Sequence, residues 1–285
     1  MTSSKFLTVR SIVSLFSFLI FLAIALNHFS KNPGFTVDKI SSNFSYEKNW
    51  EITDLPDVGS LNEIFSQAFT YVGNGAQCYA FASEDKKHIL KLFKMNHLTS
   101  RKYLNWINSY RIKNEKRDQN LQETFSSFKT AYEDFKEASG LVFIHLNRTN
   151  QMNKKLTLID KEKNKWVIDL DSTVFVLQER ADLIYSHLVP LLEAGLYKQA
   201  QSSIDAVLSI IAARCKKGFT DSDEGVSHNY GFVGDLAIQI DVGRLIKNTG
   251  PQDLSQVQKT EKKIYSWLET YHPDLFAKFQ EAKKA

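Results

Sequence analysis

A chain of 285 residues with 43% hydrophobic side chains can bury the core of one large domain or two small ones. Its 36 basic and 32 acidic residues leave a net charge of +4, too small and too dispersed for a nucleic-acid-binding surface. Two cysteines, Cys78 and Cys215, give neither a metal-ligand spacing nor a disulfide framework, although a single bridge between them stays open.

Residues 1–10 carry Lys5 and Arg10 and no acidic residue, and residues 11–27, SIVSLFSFLIFLAIALN, carry no charge at all. A buried soluble helix would keep a polar face, and this stretch has none. It is read as a membrane-directed hydrophobic helix, either a signal peptide or an uncleaved anchor. Ala23-Ile24-Ala25 suits a signal peptidase. The apolar run falls just under the roughly 20 residues that span a bilayer comfortably. The basic leader places the rest of the chain outside the cytoplasm, membrane-anchored or exported. Residues 28–60 read as a linker with turn signals at Asn32-Pro33-Gly34 and Asp54 to Pro56. Asn43-Phe44-Ser45 and Asn147-Arg148-Thr149 match the N-glycosylation acceptor pattern.

Short β-rich runs follow. Phe69–Val72, Cys78–Ala82 and His88–Lys94 read as strands, with Gly73-Asn74-Gly75 and Ser83–Lys87 as the turns between them. A glycine pair at the first turn lets backbone N–H groups approach a phosphate, and Lys91 can point at the same place. Residues 97–138 read as helical, with Leu121, Phe125, Phe128, Tyr132 and Phe135 on one face and Ser139-Gly140 as the stop. Leu141–Leu146, Leu156–Ile159, Trp166–Ile168 and Thr173–Leu177 complete a mainly antiparallel sheet.

Beyond Gln178–Ala181 the pattern turns helical. Ile184–Leu192, Tyr197–Cys215, Leu254–Tyr271 and Leu275–Lys284 are the expected helices, with Lys216-Lys217-Gly218 closing the second. Between them lies Asp221–Arg244, DSDEGVSHNYGFVGDLAIQIDVGR. It reads as two acidic loops flanking a hairpin, with a turn at Gly231–Gly234 and a second strand over Leu236–Ile240. Asn229 before the hairpin and Asp241 after it can meet on one side, a pair of oxygen donors suited to Mg²⁺. An equally simple reading makes Asp221, Asp223 and Asn229 turn residues and Asp241 a cap.

The order of these features resembles the protein-kinase-like superfamily. Gly73-x-Gly75, Ala80 and Ile89-Leu90-Lys91 resemble its nucleotide-covering loop and lysine strand, with Cys78 at the place of a third glycine. Asp241-Val242-Gly243 stands where the family has Asp-Phe-Gly. The family places its catalytic Asp five residues before the metal-binding Asn, where this chain has Glu224; Asp223 is one position away. The His-Arg-Asp triplet and the Ala-Pro-Glu segment are missing. The resemblance implies an α+β fold, with an inserted helix on an antiparallel sheet and then a small, mainly helical lobe. The implied domains are residues 61–180 and 181–285. It implies Gly73, Gly75 and Lys91 as nucleotide-binding residues, Asn229 and Asp241 as metal ligands, Asp223 as base and Mg-ATP as cofactor. It further implies a Glu on the inserted helix, Glu123 or Glu133, paired with Lys91, and adenine recognition by main-chain groups of Gln178–Ala181. Three functions follow: a degenerate, pseudokinase-like module that binds a partner, a small active phosphotransferase, or an unrelated α+β surface protein.

Overall fold

The computed structural model describes residues 34–41, 46–99, 105–248 and 254–284. The chain divides into two compact units, Met1–Phe35 and Thr36–Ala285. Residues 1–33, with the expected hydrophobic helix, lie outside the described residues. Among the described residues no helix is long and apolar enough to cross a membrane. Within the stretch expected as a linker, Ile40 and Trp50 are already buried, and Asp57 caps a helix, α1 (Val58–Phe65), by accepting from the Ser60 N–H at 2.8 Å.

All seven expected strands form, and they make one sheet. Strands β1 (Phe69–Asn74), β2 (Cys78–Ser83) and β3 (His88–Phe93) are an antiparallel meander. Strands β4 (Leu141–His145), β5 (Lys155–Ile159), β6 (Lys165–Asp169) and β7 (Phe175–Glu179) extend it in the order β4-β7-β3-β2-β1-β5-β6. The β5–β6 hairpin is carried to the far edge, where β5 runs parallel to β1 with Phe69 opposite Leu158. The sheet is therefore mixed rather than wholly antiparallel.

The inserted helix, α2 (Asn108–Asp134), starts later than the pattern suggested. Met95–Leu98 forms a separate turn before it. Over its first three turns Asn114 alone is buried, because no apolar stripe exists there. From Thr124 onward the expected face appears. Phe125, Phe128 and Tyr132 pack on Phe93, Ile144 and Val176 of the sheet, and Trp50 meets the Phe125 ring edge-on at 5.5 Å. Gly140, at φ +61°, ends the helical run in the left-handed conformation that favours glycine.

After β7 the chain crosses in a few residues to a second half that is less purely helical than expected. Helices α3 (Ile184–Glu193), α4 (Tyr197–Lys216), α5 (Ser255–Tyr271) and α6 (Pro273–Ala282) enclose a core of Leu188, Ile204, Val207, Ile211, Leu268 and Phe279. Two small sheets sit between them and the large sheet. One joins β8 (Asp182–Leu183), β10 (Tyr230–Val233) and β11 (Leu236–Gln239); the other joins β9 (Phe219–Asp221) and β12 (Leu245–Lys247).

Several local expectations change. Gly73 lies within β1 at a register shift, so the turn is Gly75–Gln77. Gly231 is inside β10, and the hairpin turns at Gly234, φ +59°. Cys78 and Cys215 are not joined by a disulfide. Asn147 is buried and exchanges two hydrogen bonds with the Glu47 backbone, at 3.0 and 2.9 Å, so its amide is not presented for glycosylation.

Candidate functional site

The β10–β11 hairpin aims the start of the Asp241 loop at the large sheet. Its register pairs Tyr230 with Gln239, and the Ile240 N–H donates to the Asn229 carbonyl at 2.7 Å. Asn229 and Asp241 therefore flank the same end of the hairpin. Gly231 is needed here: a Cβ would stand 2.5 Å from the Asp182 carbonyl oxygen and 3.0 Å from the Ala181 Cβ. The close approach lets the hairpin tuck under the crossover.

Lys91 meets this hairpin from β3. Its Nζ donates to the Ile240 carbonyl at 2.6 Å, and the Gln178 amide donates to the same oxygen at 3.1 Å. Burial lowers the Lys91 pKa below the ordinary lysine value, while the neighbouring Asp241 carboxylate pulls it back up. Gly75, Lys91, Asp223 and Asp241 line one cavity of about 180 Å³, together with Gln77 and Arg244. Burial pushes the Cys78 thiol, on the cavity wall, up to about 12, so it holds its proton at neutral pH.

Two expected site residues sit differently. Gly73 pairs with Ala80 in the sheet and does not line this cavity. Asn229 is buried beside it, its Nδ2 donating to the Asp223 carbonyl at 3.3 Å. The two acidic candidates for a base separate cleanly. Glu224 turns to the surface and pairs with Lys263 at 2.8 Å and Lys259 at 3.5 Å. Asp223 faces the cavity, and its Oδ1 accepts from the Gly225 N–H at 2.9 Å.

Neither proposed partner of Lys91 reaches it. Glu133 pairs with Lys129 at 3.7 Å, and Glu123 accepts from Gln119 at 2.7 Å. Where that carboxylate was expected, α2 presents hydroxyls. Ser127 Oγ donates to the Val242 carbonyl and accepts from the Leu245 N–H at 2.6 Å. Thr124 Oγ1 accepts from the Gln77 amide at 3.0 Å.

Beneath the cavity lies a buried network that the sequence pattern gave no reason to expect. Arg214, on the inner face of α4, donates to Gln239 Oε1 at 2.5 Å and to Gln256 Oε1 at 2.7 Å. The Gln239 amide nitrogen donates to Asp221 Oδ2 at 2.6 Å and to the Asp241 carbonyl at 2.9 Å. Asp221 is 4% exposed. Burial raises its carboxyl pKa to about 6, against the Asp223 N–H and the Arg214 guanidinium, which pull it down. Asp221 thus belongs to the floor that fixes the Asp241 backbone, not to the cavity wall.

No family model matches the chain, and no curated protein matches it. Among solved structures it is similar to "ROP18 kinase domain in complex with AMP-PNP and sucrose", at 13% identity and a TM-score of 0.35, over 74% of this chain and 69% of that one. It is also similar to "High resolution (2.2 A) crystal structure of WbdD", at 15% identity and a TM-score of 0.32, over 75% of this chain and 46% of that one. A third similarity is to "The complex structure of Rv3197-erythromycin from Mycobacterium tuberculosis", at 11% identity and a TM-score of 0.32, over 98% of this chain and 74% of that one.

Proposed function

We propose that the chain carries a kinase-like Mg-nucleotide cleft in a membrane-associated protein, and that the cleft serves binding more than turnover. The observation that carries this is the shared cavity of Gly75, Lys91, Asp223 and Asp241. It combines a glycine-lipped turn, a point-charge cation for phosphate and carboxylates for a hard metal. Asp241 would hold the metal by the carboxylate oxygen that the Gly243 N–H, at 3.0 Å, does not occupy. Asn229 would add its amide oxygen, since its nitrogen is already donated. A bound Mg²⁺ would supply charge neutralisation for phosphates. Lys91 holds its ammonium over the Ile240 carbonyl, in reach of what the Gly75 turn covers.

Reduced turnover follows from what the cleft lacks. No carboxylate on α2 holds Lys91, and the cavity is smaller than the roughly 300–1,000 Å³ usual for ligand pockets. The second reading, an active phosphotransferase, is favoured by one feature: Asp223 faces the cavity where a base would act.

The test is ligand-linked stability. Mg-ADP should raise the Tm of the full chain in mild detergent, as any ligand selective for the folded state must. Asp241→Asn should abolish the Mg-dependent part of that shift, and Asp221→Asn should leave most of it. An unshifted Tm at millimolar Mg-ADP overturns the nucleotide reading. Single-turnover phosphate release that disappears in Asp223→Asn would favour the active enzyme.

A further inference from the structure

The turn that roofs the cleft is tied down on both sides. From the sheet, Lys94 Nζ donates to the Gly75 carbonyl at 2.5 Å and to Asn74 Oδ1 at 3.2 Å, while the Lys94 N–H donates to the Gln77 carbonyl at 2.7 Å. On the other side, the Gln77 side chain crosses to α2, where its Nε2 reaches Thr124 Oγ1 at 3.0 Å. Its Oε1 then lies against Gly243, where any Cβ would collide with it. A buried hydroxyl, a glycine and an amide thus meet across the mouth of the cleft.

Gln77 is also a partition. It lines the 180 Å³ cavity of Lys91 and Asp241, and it lines a groove of about 730 Å³ between α2 and β12. Ala76 and Arg244 border both spaces as well. The small cavity alone is under the size of a usual ligand pocket. Joined to the groove it would not be.

We propose that Gln77 is an autoinhibitory latch: while its Nε2 donates to Thr124 Oγ1, the turn is shut and the phosphate end of the cleft is closed. Its purpose rests on the nucleotide reading above. The physical content is a two-state turn. A ligand that needs the open state binds more weakly by the fraction of molecules that are open. One hydrogen bond of ordinary net strength holds such an equilibrium by about fivefold.

The test uses the full chain in mild detergent, with Gln77→Ala, Thr124→Val and the double variant. Two readouts are taken: Mg-ADP affinity by calorimetry, and hydrogen exchange of the 75–78 amides without nucleotide. The latch requires faster exchange at 75–78 in both single variants and, where the wild type binds Mg-ADP, an affinity about fivefold tighter in the variants. The double variant should gain no more than either single change, because both break one contact. If the wild type binds Mg-ADP and the variants bind no tighter, the latch is wrong and the nucleotide reading stands. If nothing binds Mg-ADP but exchange accelerates in both variants, the latch stands and the nucleotide reading falls. Unchanged exchange in both variants overturns the latch whatever the affinities.

Discussion

At the scale of single residues, the most consequential group is one that the cavity does not touch. Asp221 is a carboxyl enclosed with Arg214, whose Nη1 lies 3.8 Å from its Oδ2. Gln239 stands between them and bonds to both. Removing a carboxylate from water costs more than these partners return, so its pKa rises to about 6 from the ordinary 3.8. A folded-state pKa above the unfolded one means that folding favours the protonated form. That contribution is fully present below about pH 4 and is lost as pH rises through about 6. An asparagine at this position has no proton to lose. The stability of the wild type relative to Asp221→Asn should therefore fall by on the order of 2–3 kcal/mol between pH 4 and pH 7. Urea denaturation of both proteins across that range measures the difference, and a flat difference would refute the buried-carboxyl account. The same scale explains why the local sequence does not tell Asp223 from Glu224. Their difference is made by Lys259 and Lys263 on α5, a helix that the local motif does not include.

At the scale of elements, the strands were legible because each is a short run rich in apolar, β-branched or aromatic residues bounded by turn signals, and the central ones, such as Phe175–Glu179, are buried almost throughout. The hairpin that carries Asn229 and Asp241 was legible too, but its turn was not. Two glycines three positions apart offered two sites, and geometry chose Gly234, with its positive φ, for the turn. Gly231 serves close approach instead, and nothing local announces the Asp182 carbonyl against it. The pair Gly231 and Gly73 makes this a measurement. Gly231→Ala must displace the β8 backbone or the Ala181 and Ile240 side chains, and should cost about 1–3 kcal/mol. Gly73→Ala meets nothing within 4 Å and should stay within about 0.5 kcal/mol of the wild type. Equal losses in urea melts would remove the close-approach account of the hairpin. Gln77 lay beyond reading for a related reason. Its partner Thr124 is 47 positions away, on a helix whose register against the sheet is set by Phe125 and Phe128.

At the scale of the whole molecule, what matters is the compartment in which the cleft is placed. The sheet, α2 and the β10–β11 hairpin all belong to the unit Thr36–Ala285. The proposed membrane association comes from residues 11–27 alone, through an uncharged apolar run behind Lys5 and Arg10. These two properties pull in opposite directions. A cleft for Mg-nucleotide needs a compartment that holds nucleotide, whereas a basic leader directs the following chain across the membrane. A site used for binding, with a latch that keeps it closed until nucleotide or a partner opens it, tolerates scarcity better than one that must turn over. The separating experiment is fractionation of cells that express the full chain or a chain lacking residues 1–27. The full chain should enter the membrane fraction, and the shortened chain should stay soluble with the same Mg-ADP-induced rise in Tm, since Gly75, Lys91, Asp223 and Asp241 all belong to the unit Thr36–Ala285. Equal solubility of both chains would overturn the membrane proposal and remove the conflict. Loss of the Tm response on shortening would show that the leader contributes to the folded cleft.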